Sequence, residues 1–237
     1  MPTEYPSDLG FTVLYDEGPC LVVNKPAGLL TQAPLGIDSL ELRVKRFIKQ
    51  CEGKTGEIYL GVPHRLDRPV SGAIVFARHV RAARKISEQF EGRTVSKTYW
   101  ALVGGQVAEP QGTWTDFLKK IDGEPRTVIV DEHDVGGKLA ILHYRVIQVL
   151  PHGTLLEIEL ETGRTHQIRV QCSSRGLPLL GDTLYGSPAT FGPWSNDERE
   201  RFISLHARNL KLKHPMTREP IDINAPLPPL WQDYGVS

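Results

Sequence analysis

Cysteine is scarce in this 237-residue sequence, and the few cysteines are scattered. The chain has three, Cys20, Cys51 and Cys172, and no two of them form a C-x-x-C pair. An odd, dispersed set of this kind is not the pattern of a disulfide framework or of a cysteine-rich zinc site. It is typical of proteins in a reducing compartment, so we expect a cytoplasmic protein without disulfides.

Long hydrophobic runs are also missing. No apolar stretch approaches the roughly 18 residues that a membrane-spanning helix needs. The first residues, MPTEYPSDLG, have neither the basic start nor the apolar middle of a signal peptide. We therefore expect a soluble protein that contacts no membrane.

An excess of charge of one sign is absent as well, because 28 Lys and Arg balance 28 Asp and Glu. The charges are nevertheless unevenly placed. Residues 64–97 contain eight basic and three acidic residues, whereas residues 109–134 contain seven acidic and three basic ones. A basic segment of this kind is expected of a nucleic-acid-binding surface, and it equally fits a solvated helix face.

Several cofactor and catalytic motifs are missing. The sequence has no GxxxxGK[ST] loop, no GxGxxG after a strand, no GxSxG turn and no HExxH. Its eight histidines show no metal-ligand spacing. We therefore expect neither a metal ion nor a nucleotide cofactor. A pair of carboxylates that act as acid and base stays open, because acidic residues are plentiful and their distances are unknown.

Short β-rich segments dominate what the sequence does contain. Helical spacing predicts helices over residues 38–51 and 79–92, the second ending at Gly92, and a short helix over 165–176 with Thr165 as its N-cap. Strands outnumber helices without a β-α-β rhythm, which predicts an α+β fold with a mixed, mainly antiparallel sheet and flanking helices. The apolar or alternating runs predict strands over 11–15, 20–25, 72–77, 97–103, 141–150 and 154–161.

Four polar clusters accompany these segments. In HRLDRPVSG a single carboxylate, Asp67, lies between two arginines. In SKTYWALV strand alternation places Lys97 and Tyr99 on one face. The segment that begins at Glu161 contains Arg164, His166, Gln167 and Arg169 with no acid before Asp182, a density of donors that suits phosphates or base edges. Each cluster also has an ordinary structural interpretation: a hairpin turn, a surface ion pair, a core tyrosine or a packing face. The clusters are NKPAGLLT (24–31), HRLDRPVSG (64–72), SKTYWALV (96–103) and ETGRTHQIRVQCSSRGLPLLGDTLYG (161–186).

Together these clusters resemble the RluA family of pseudouridine synthases. The family pattern runs NKPAG, HRLD with a turn ending in SG, KxYxA, TGRTHQIR, PLLGD followed by Tyr-Gly, and a Leu-His-Ala element. This sequence has all six in that order, from about residue 11 to 225. Val70 stands where the family usually has Thr, and Gln171 and Cys172 also depart from it, so the flanking RNA contacts and the target stay open.

The resemblance implies a catalytic domain with a central cleft that isomerises selected uridines in RNA to pseudouridine, without a cofactor. We expect an N-terminal tail (1–10), the catalytic domain (11–225) and a C-terminal tail (226–237). Many relatives carry a separate N-terminal RNA-binding domain, which we expect this chain to lack. We also expect a monomer.

The family pattern also implies roles for individual residues. Asp67 is the catalytic carboxylate, which attacks the sugar, attacks the uracil ring or removes a sugar proton; these three alternatives stay open. Arg169 pairs with Asp67, Tyr99 stacks on the uracil and helps remove the proton from its carbon 5, and Arg65 fills the space left by the flipped uridine. RNA contacts are expected from Lys25, Arg68, Lys97, Arg164, His166 and Gln167.

Two other functions remain possible on these residues. One is an RNA-binding module without catalysis, and the other is a nucleosidase that uses a carboxylate on small nucleosides. For the synthase, ribosomal RNA is the commoner substrate implied by the family, with transfer RNA next. Without an added RNA-binding domain, we expect the chain to recognise the shape and unstacked bases of a short stem-loop.

Overall fold

A ten-stranded sheet forms the centre of the computed structural model, which describes residues 9–236. Three α-helices flank the sheet: α1 (Leu40–Cys51), α2 (Val80–Glu91) and α3 (Gln167–Ser173). The strands are β1 (Thr12–Glu17), β2 (Cys20–Lys25), β3 (Ser71–Ala77), β4 (Ser96–Val103), β5 (Gln111–Lys120), β6 (Thr127–Val130), β7 (Lys138–Leu150), β8 (Gly153–Leu160), β9 (Leu205–Lys213) and β10 (Pro220–Asn224).

The sheet is antiparallel except at one junction. Its order is β1-β2-β3-β9-β4-β8-β7-β5-β6, and β10 lies beside β9. The single parallel contact joins the first residues of β3 to His206 and Ala207 of β9. The prediction of an α+β fold with a mixed, mainly antiparallel sheet is therefore confirmed.

Amphipathic patterning explains the two longer helices. In α1, Leu40, Val44, Phe47 and Ile48 recur at helical spacing and are buried, and the Ser39 side chain accepts a hydrogen bond from the Leu42 amide at the N-terminus. Helix α2 has an unusual N-cap, the imidazole of His79, and ends at Gly92 as predicted. Both helices therefore match the sequence prediction to within two residues.

The prediction for α3 is wrong at its N-terminus. The N-cap is His166, in the left-handed conformation with φ of 54°, and the helix begins one residue later than a Thr165 cap requires. No side chain caps this end. The turn before α3 is therefore set by contacts of the neighbouring side chains rather than by a capping hydroxyl.

All six predicted strands are present, but four others were not predicted. Strands β5, β6 and β10 lie at or near edges and expose many of their residues, so their apolar pattern is diluted. Strand β9 lies inside the sheet, yet LHARNLKLK carries polar residues on both faces and gives no clean alternation. Its position depends on distant partners.

The segment 226–237 is not a free tail, which corrects the predicted domain boundary. Trp231 and Val236 are almost fully buried and pack with Leu102, Leu155 and Phe191. The described part of this segment therefore belongs to the core. Of the predicted N-terminal tail, residues 1–8 lie outside the described residues.

Candidate active site

A cleft of about 1090 Å³ opens between the loop 61–70, the start of β4, the end of β8 and the turn that leads into α3. Residues from three of the four polar clusters meet there, although they lie up to about 100 positions apart in the sequence. The predicted site residues that line the cleft are Arg65, Asp67, Lys97, Tyr99, Arg164, His166, Gln167 and Arg169. Lys25 and Arg68 are not among the lining residues.

The loop that carries Asp67 is held from below by the NKPAGLLT turn. The hydroxyl of Thr31 donates to the Leu66 carbonyl at 2.8 Å and accepts from the Leu66 amide, and the Gly28 amide donates to the Arg68 carbonyl at 2.8 Å. The Leu66 side chain is buried, whereas about a third of the Asp67 side chain is exposed. The loop therefore presents its carboxylate to the cleft on a fixed backbone.

Lys25 does not contact the cleft, so its predicted role as an RNA contact is wrong. Its side chain is fully buried, and its ammonium group donates to the carbonyls of Pro26, Leu29 and Arg68 at 2.7 to 3.1 Å. Burial lowers the pKa of Lys25 to about 7. This lysine supports the loop that carries Asp67 from inside the protein.

Arg169 joins Asp67 to a second carboxylate. Its guanidinium donates two hydrogen bonds to Asp182, at 2.7 and 2.8 Å, and a longer one of 3.4 Å to Oδ2 of Asp67. Asp182 is only 1% exposed, so the paired charge is anchored inside the protein. The geometry places a fixed positive charge beside Asp67, as predicted for Arg169.

Tyr99 lies on β4 beside Asp67. The predicted alternation is confirmed, because Tyr99, Ala101 and Val103 pack in the main core while Trp100 and Leu102 pack in a different one on the other side of the sheet. Burial, and then the charge of Asp67, raise the pKa of the Tyr99 phenol. The phenol therefore stays protonated at neutral pH and presents a neutral ring at the cleft floor.

Gln167 lines the cleft but uses its side-chain amide within the protein, so its contact with RNA stays a prediction. The residue is 2% exposed. Its Oε1 accepts from the Thr162 hydroxyl and the Arg164 amide, and its Nε2 donates to the Ile141 carbonyl. These bonds use the side-chain amide to close the turn between β8 and α3.

His166 is the last residue of this turn, and its ring faces the loop that carries Asp67. Its Nε2 lies 3.5 Å from Oδ2 of Asp67, and its Nδ1 lies 2.9 Å from the hydroxyl of Tyr185. Only 12% of the side chain is exposed, and burial lowers the pKa of His166. The ring is therefore neutral at ordinary pH and faces Asp67 rather than open solvent.

The remaining predicted RNA contacts occupy different depths. Arg65 is exposed beside Asp67, and Arg164 is half-buried with its Nε donating to the Leu139 carbonyl at 2.9 Å. Lys97 lies over the ring of Phe90 at 5.8 Å from its centroid, and burial lowers the pKa of its ammonium group. Arg68 is half-buried, outside the cleft lining. Among the cations that were predicted to contact RNA and that line the cleft, Arg65 is thus more exposed than Lys97 and Arg164.

The cleft carries charges of both signs. Five basic side chains line it, together with four acidic ones: Asp67, Glu91, Glu159 and Glu161. Glu161 lies 3.5 Å from Arg93 and 3.6 Å from His143, so part of the acidic charge is paired. The basic segment 64–97 supplies three of the five basic residues. The cleft is thus slightly basic in sum although the chain is neutral.

Two residues of the site were missed by sequence reasoning. Asp182 and Tyr185 lie in the LPLLGDTLYG stretch, which was quoted as a motif without a role for either residue. A signal was available for Asp182, since it is the one acid that closes a donor-rich segment of twenty residues. Nothing in the sequence indicated that the Tyr185 hydroxyl meets His166.

Between residues 9 and 236, no helix has both the length and the apolar character to cross a membrane. Within the same range, no group of three or more His, Cys, Asp or Glu side chains is arranged to hold a metal ion. Cys20, Cys51 and Cys172 are free thiols.

Comparison with known proteins points to one family. Residues 19–174 match the family model described as RNA pseudouridylate synthase. The chain is 35% identical to the RNA pseudouridine synthase YhcT of Bacillus subtilis over 219 residues, which cover 91% of this chain and 68% of that protein. It is also 35% identical to ribosomal large subunit pseudouridine synthase D of Xanthomonas campestris, covering 94% of this chain and 68% of the relative.

The fold comparison agrees with the sequence comparison. Human RNA pseudouridylate synthase domain containing 4 aligns with a TM-score of 0.76 at 25% identity, over 93% of this chain and 90% of that structure. A third relative, an uncharacterized RNA pseudouridine synthase of Synechocystis, is 33% identical, and this chain spans 65% of its length. The resemblance to the RluA family is thus confirmed, and the chain belongs to the RNA pseudouridylate synthase family.

Proposed function

We propose that this chain isomerises uridines in RNA to pseudouridine, with Asp67 as the catalytic carboxylate. The observation that carries the proposal is the placement of Asp67 in a large open cleft, held by Arg169 and next to Tyr99. A carboxylate must be ionised to act as a nucleophile or base. The guanidinium of Arg169, fixed by the buried Asp182, lies 3.4 Å from Oδ2 of Asp67 and supplies an opposite charge beside it.

The reaction requires the enzyme to hold the uracil while the uracil rotates. The N-glycosidic bond breaks, the uracil rotates, and its carbon 5 bonds to the ribose in place of nitrogen 1. In this proposal Tyr99 supplies a flat, neutral surface on which the uracil stacks. Its raised phenol pKa argues that the hydroxyl acts with its proton in place, so the proton at carbon 5 leaves to another acceptor. In this proposal Asp67, which lines the same cleft, is that acceptor.

The substrate uridine must leave its stack to reach Asp67, at a cost of a few kcal/mol. Arg65 is exposed and adjacent to Asp67 on the same loop, so it is placed to fill the vacated position. Its planar guanidinium can stack on the neighbouring bases and bond to their edges. In this proposal Lys97 and Arg164 contact the RNA backbone at the two walls of the cleft.

The dimensions of the cleft favour a macromolecular substrate over a free nucleoside. Cavities for small molecules hold about 300 to 1,000 Å³ and enclose most of the ligand. This cleft of about 1090 Å³ is open along one side and is lined by residues from at least four separate segments. A uridine and its flanking nucleotides fit such an opening better than uridine alone.

Ribosomal RNA is the substrate class that we propose. Several relatives with 32 to 35% identity are named ribosomal large subunit pseudouridine synthase D, among them the proteins of Xanthomonas campestris and Pseudomonas aeruginosa. Those names apply to the relatives. Their similarity over 94% of this chain supports the same class here.

Tritium release tests the function and the substrate class together. RNA labelled at carbon 5 of uridine loses tritium when pseudouridine forms, and ribosomal and transfer RNA transcripts are offered separately. We expect release from ribosomal RNA, and we expect Asp67→Asn to lower the rate by about 10³-fold or more while RNA binding is retained. Free uridine and uridylate are included as substrates for hydrolysis.

The matched control is Asp122→Asn, an exposed acid in the turn after β5 that does not line the cleft. It should leave the rate unchanged. Full turnover by Asp67→Asn would contradict the assignment of the catalytic residue. Binding without release from any RNA would favour the non-catalytic RNA-binding module, and hydrolysis of free uridine would favour a nucleosidase.

A further inference from the structure

Tyr185 lies behind the cleft and contacts both groups that hold Asp67. The tyrosine is 4% exposed, at the end of the short 3₁₀ turn Thr183–Tyr185. The guanidinium of Arg169 lies over its ring at 5.0 Å from the centroid. Its hydroxyl lies 2.9 Å from Nδ1 of His166, and the two rings meet edge to face.

Arg169 and His166 converge on one oxygen of the catalytic carboxylate. Nη1 of Arg169 lies 3.4 Å from Oδ2 of Asp67, and Nε2 of His166 lies 3.5 Å from the same atom. Of the two carboxylate oxygens of Asp67, Oδ2 is therefore the less free to react, because two groups hold it. The arrangement therefore assigns Oδ1 as the oxygen that meets the substrate.

The tautomer of His166 decides whether its contact attracts or repels. A neutral imidazole carries one proton, on either Nδ1 or Nε2. With the proton on Nε2, an N–H faces Oδ2 of Asp67; with the proton on Nδ1, a lone pair faces that anionic oxygen. Only the first tautomer is favourable beside an ionised Asp67.

The Tyr185 hydroxyl is set up to select this tautomer. Its oxygen accepts a hydrogen bond from the Thr127 amide at 2.9 Å, so the phenol proton remains to be donated elsewhere. The His166 Nδ1 at 2.9 Å is a closer acceptor than the Thr127 carbonyl at 3.3 Å. Donation to Nδ1 leaves the imidazole proton on Nε2.

We propose that Tyr185 is a positioning residue whose hydroxyl fixes His166 with its proton on Nε2, so that His166 and Arg169 together hold Oδ2 of Asp67 and leave Oδ1 to react. The proposal rests on the proposed function of Asp67. It reassigns His166 from a contact with RNA to a group that orients the catalytic carboxylate. It also gives β6, through Thr127, an indirect role in the site.

Tyr185→Phe tests the role of the hydroxyl, because the ring and its contact with Arg169 are kept. We expect kcat to fall about tenfold near pH 8, with KM for RNA within about twofold of the wild type. The defect should shrink only at a pH low enough to protonate His166, whose pKa burial lowers, because an imidazolium carries hydrogens on both nitrogens and no longer needs Tyr185.

The other charged groups that face His166 are Asp67, Arg169, Asp182 and Lys120. These groups are unchanged in Tyr185→Phe, so their titration affects kcat of the wild type and of the variant alike and leaves the ratio of the two kcat values unaffected. An unchanged kcat for Tyr185→Phe near pH 8 would overturn the proposal. The matched control is Tyr144→Phe, a buried tyrosine that packs on Trp114 outside the cleft lining.

A second measurement does not depend on turnover. Nitrogen-15 NMR of labelled histidine reports the tautomer of His166 directly. We expect the Nε2–H form in the wild type and a mixture in Tyr185→Phe; the Nδ1–H form in the wild type would overturn the proposal even if tritium is released. No tritium release with the Nε2–H form present would instead count against the function of Asp67. The glutamine amide in His166→Gln has no tautomers for Tyr185 to select between. In that background Tyr185→Phe should have no further effect on kcat.

Discussion

The ammonium group of Lys25 ends on three main-chain carbonyls, those of Pro26, Leu29 and Arg68. Two of these lie in the NKPAGLLT turn, and the third lies one residue after Asp67. A fully buried cation is costly unless hydrogen bonds compensate it. Here the three bonds tie the turn to the catalytic loop, so Lys25 acts on the site through the backbone.

Replacement of Lys25 by Met should therefore reduce stability rather than RNA contact. Three carbonyls lose the ammonium donor, and the Arg68 carbonyl keeps only the Gly28 amide, which we expect to lower the free energy of unfolding by about 2–4 kcal/mol in urea titrations. If Lys25 bound a phosphate, its loss would reduce the slope of log K against log salt concentration by about one. We expect that slope to stay unchanged for the folded variant, measured with the ribosomal transcript.

Arg65→Ala is the matched comparison for this experiment, because Arg65 is exposed at the cleft. We expect it to leave stability nearly unchanged and to weaken RNA binding. A Lys25→Met protein of wild-type stability with a reduced salt slope would restore the original prediction of a phosphate contact.

The sequence allowed the chemistry of single residues to be predicted better than their surroundings. Asp67, Tyr99 and Arg169 meet in the cleft as expected, because their types and order carried the family pattern. Contacts of Lys25 and Gln167 with RNA were expected because the resemblance to the family implies them. Their burial depends on distant carbonyls, such as Arg68 and Ile141, that local sequence does not reveal.

At the level of elements, the catalytic loop is placed by one short parallel contact. Ser71 and Gly72 at the start of β3 pair with His206 and Ala207 of β9. The six apolar strands could be predicted from their periodicity. Strand β9 could not, because LHARNLKLK has no clean alternation and its place inside the sheet depends on pairing with the distant strands β3 and β4. The close approach at this junction has a strict requirement for glycine.

Gly72→Ala should disrupt this junction. Gly72 has φ of 119°, and a Cβ at this position would collide with the backbone of Ala207. We expect a loss of about 3 kcal/mol or more in the free energy of unfolding, measured by urea titration, and loss of activity because Asp67 lies five residues away. Insoluble expression is consistent with the same cause.

Gly123→Ala is the matched control for the glycine substitution. Gly123 also has a positive φ, of 79°, but no atom lies within 4 Å of an added Cβ. We expect only the backbone cost of about 1 kcal/mol. Equal losses for the two variants would mean that the contact with Ala207 is not what requires glycine at residue 72.

For the molecule as a whole, two histidines couple stability to pH: His206, which is fully buried, and His64, which is half-buried at the cleft. Nε2 of His64 accepts a hydrogen bond from the Val75 amide, and the ring stacks on Phe90. His206 lies between the Ser71 hydroxyl and the Ala225 carbonyl. Burial lowers the pKa of His64 to about 3 and that of His206 to about 4. Both rings are therefore neutral in the folded protein at pH values where the unfolded chain is protonated.

This difference makes the protein lose stability in mild acid. Above the unfolded histidine pKa of about 6.5, neither state binds these protons and the contribution to stability is complete. As the pH falls below that value the unfolded chain takes up two protons that the folded chain refuses, so the free energy of unfolding drops by up to about 2.7 kcal/mol per pH unit. Urea titrations between about pH 6.5 and 5 lie below the pKa of Lys25 in the folded protein and precede most carboxylate titration. His166, whose pKa burial also lowers, adds to the slope in this range. His64→Gln should therefore lower the slope by up to about 1.4 kcal/mol per pH unit. An unaltered slope in His64→Gln would show that this ring is already protonated in the folded protein, and that its bond with the Val75 amide does not form as described.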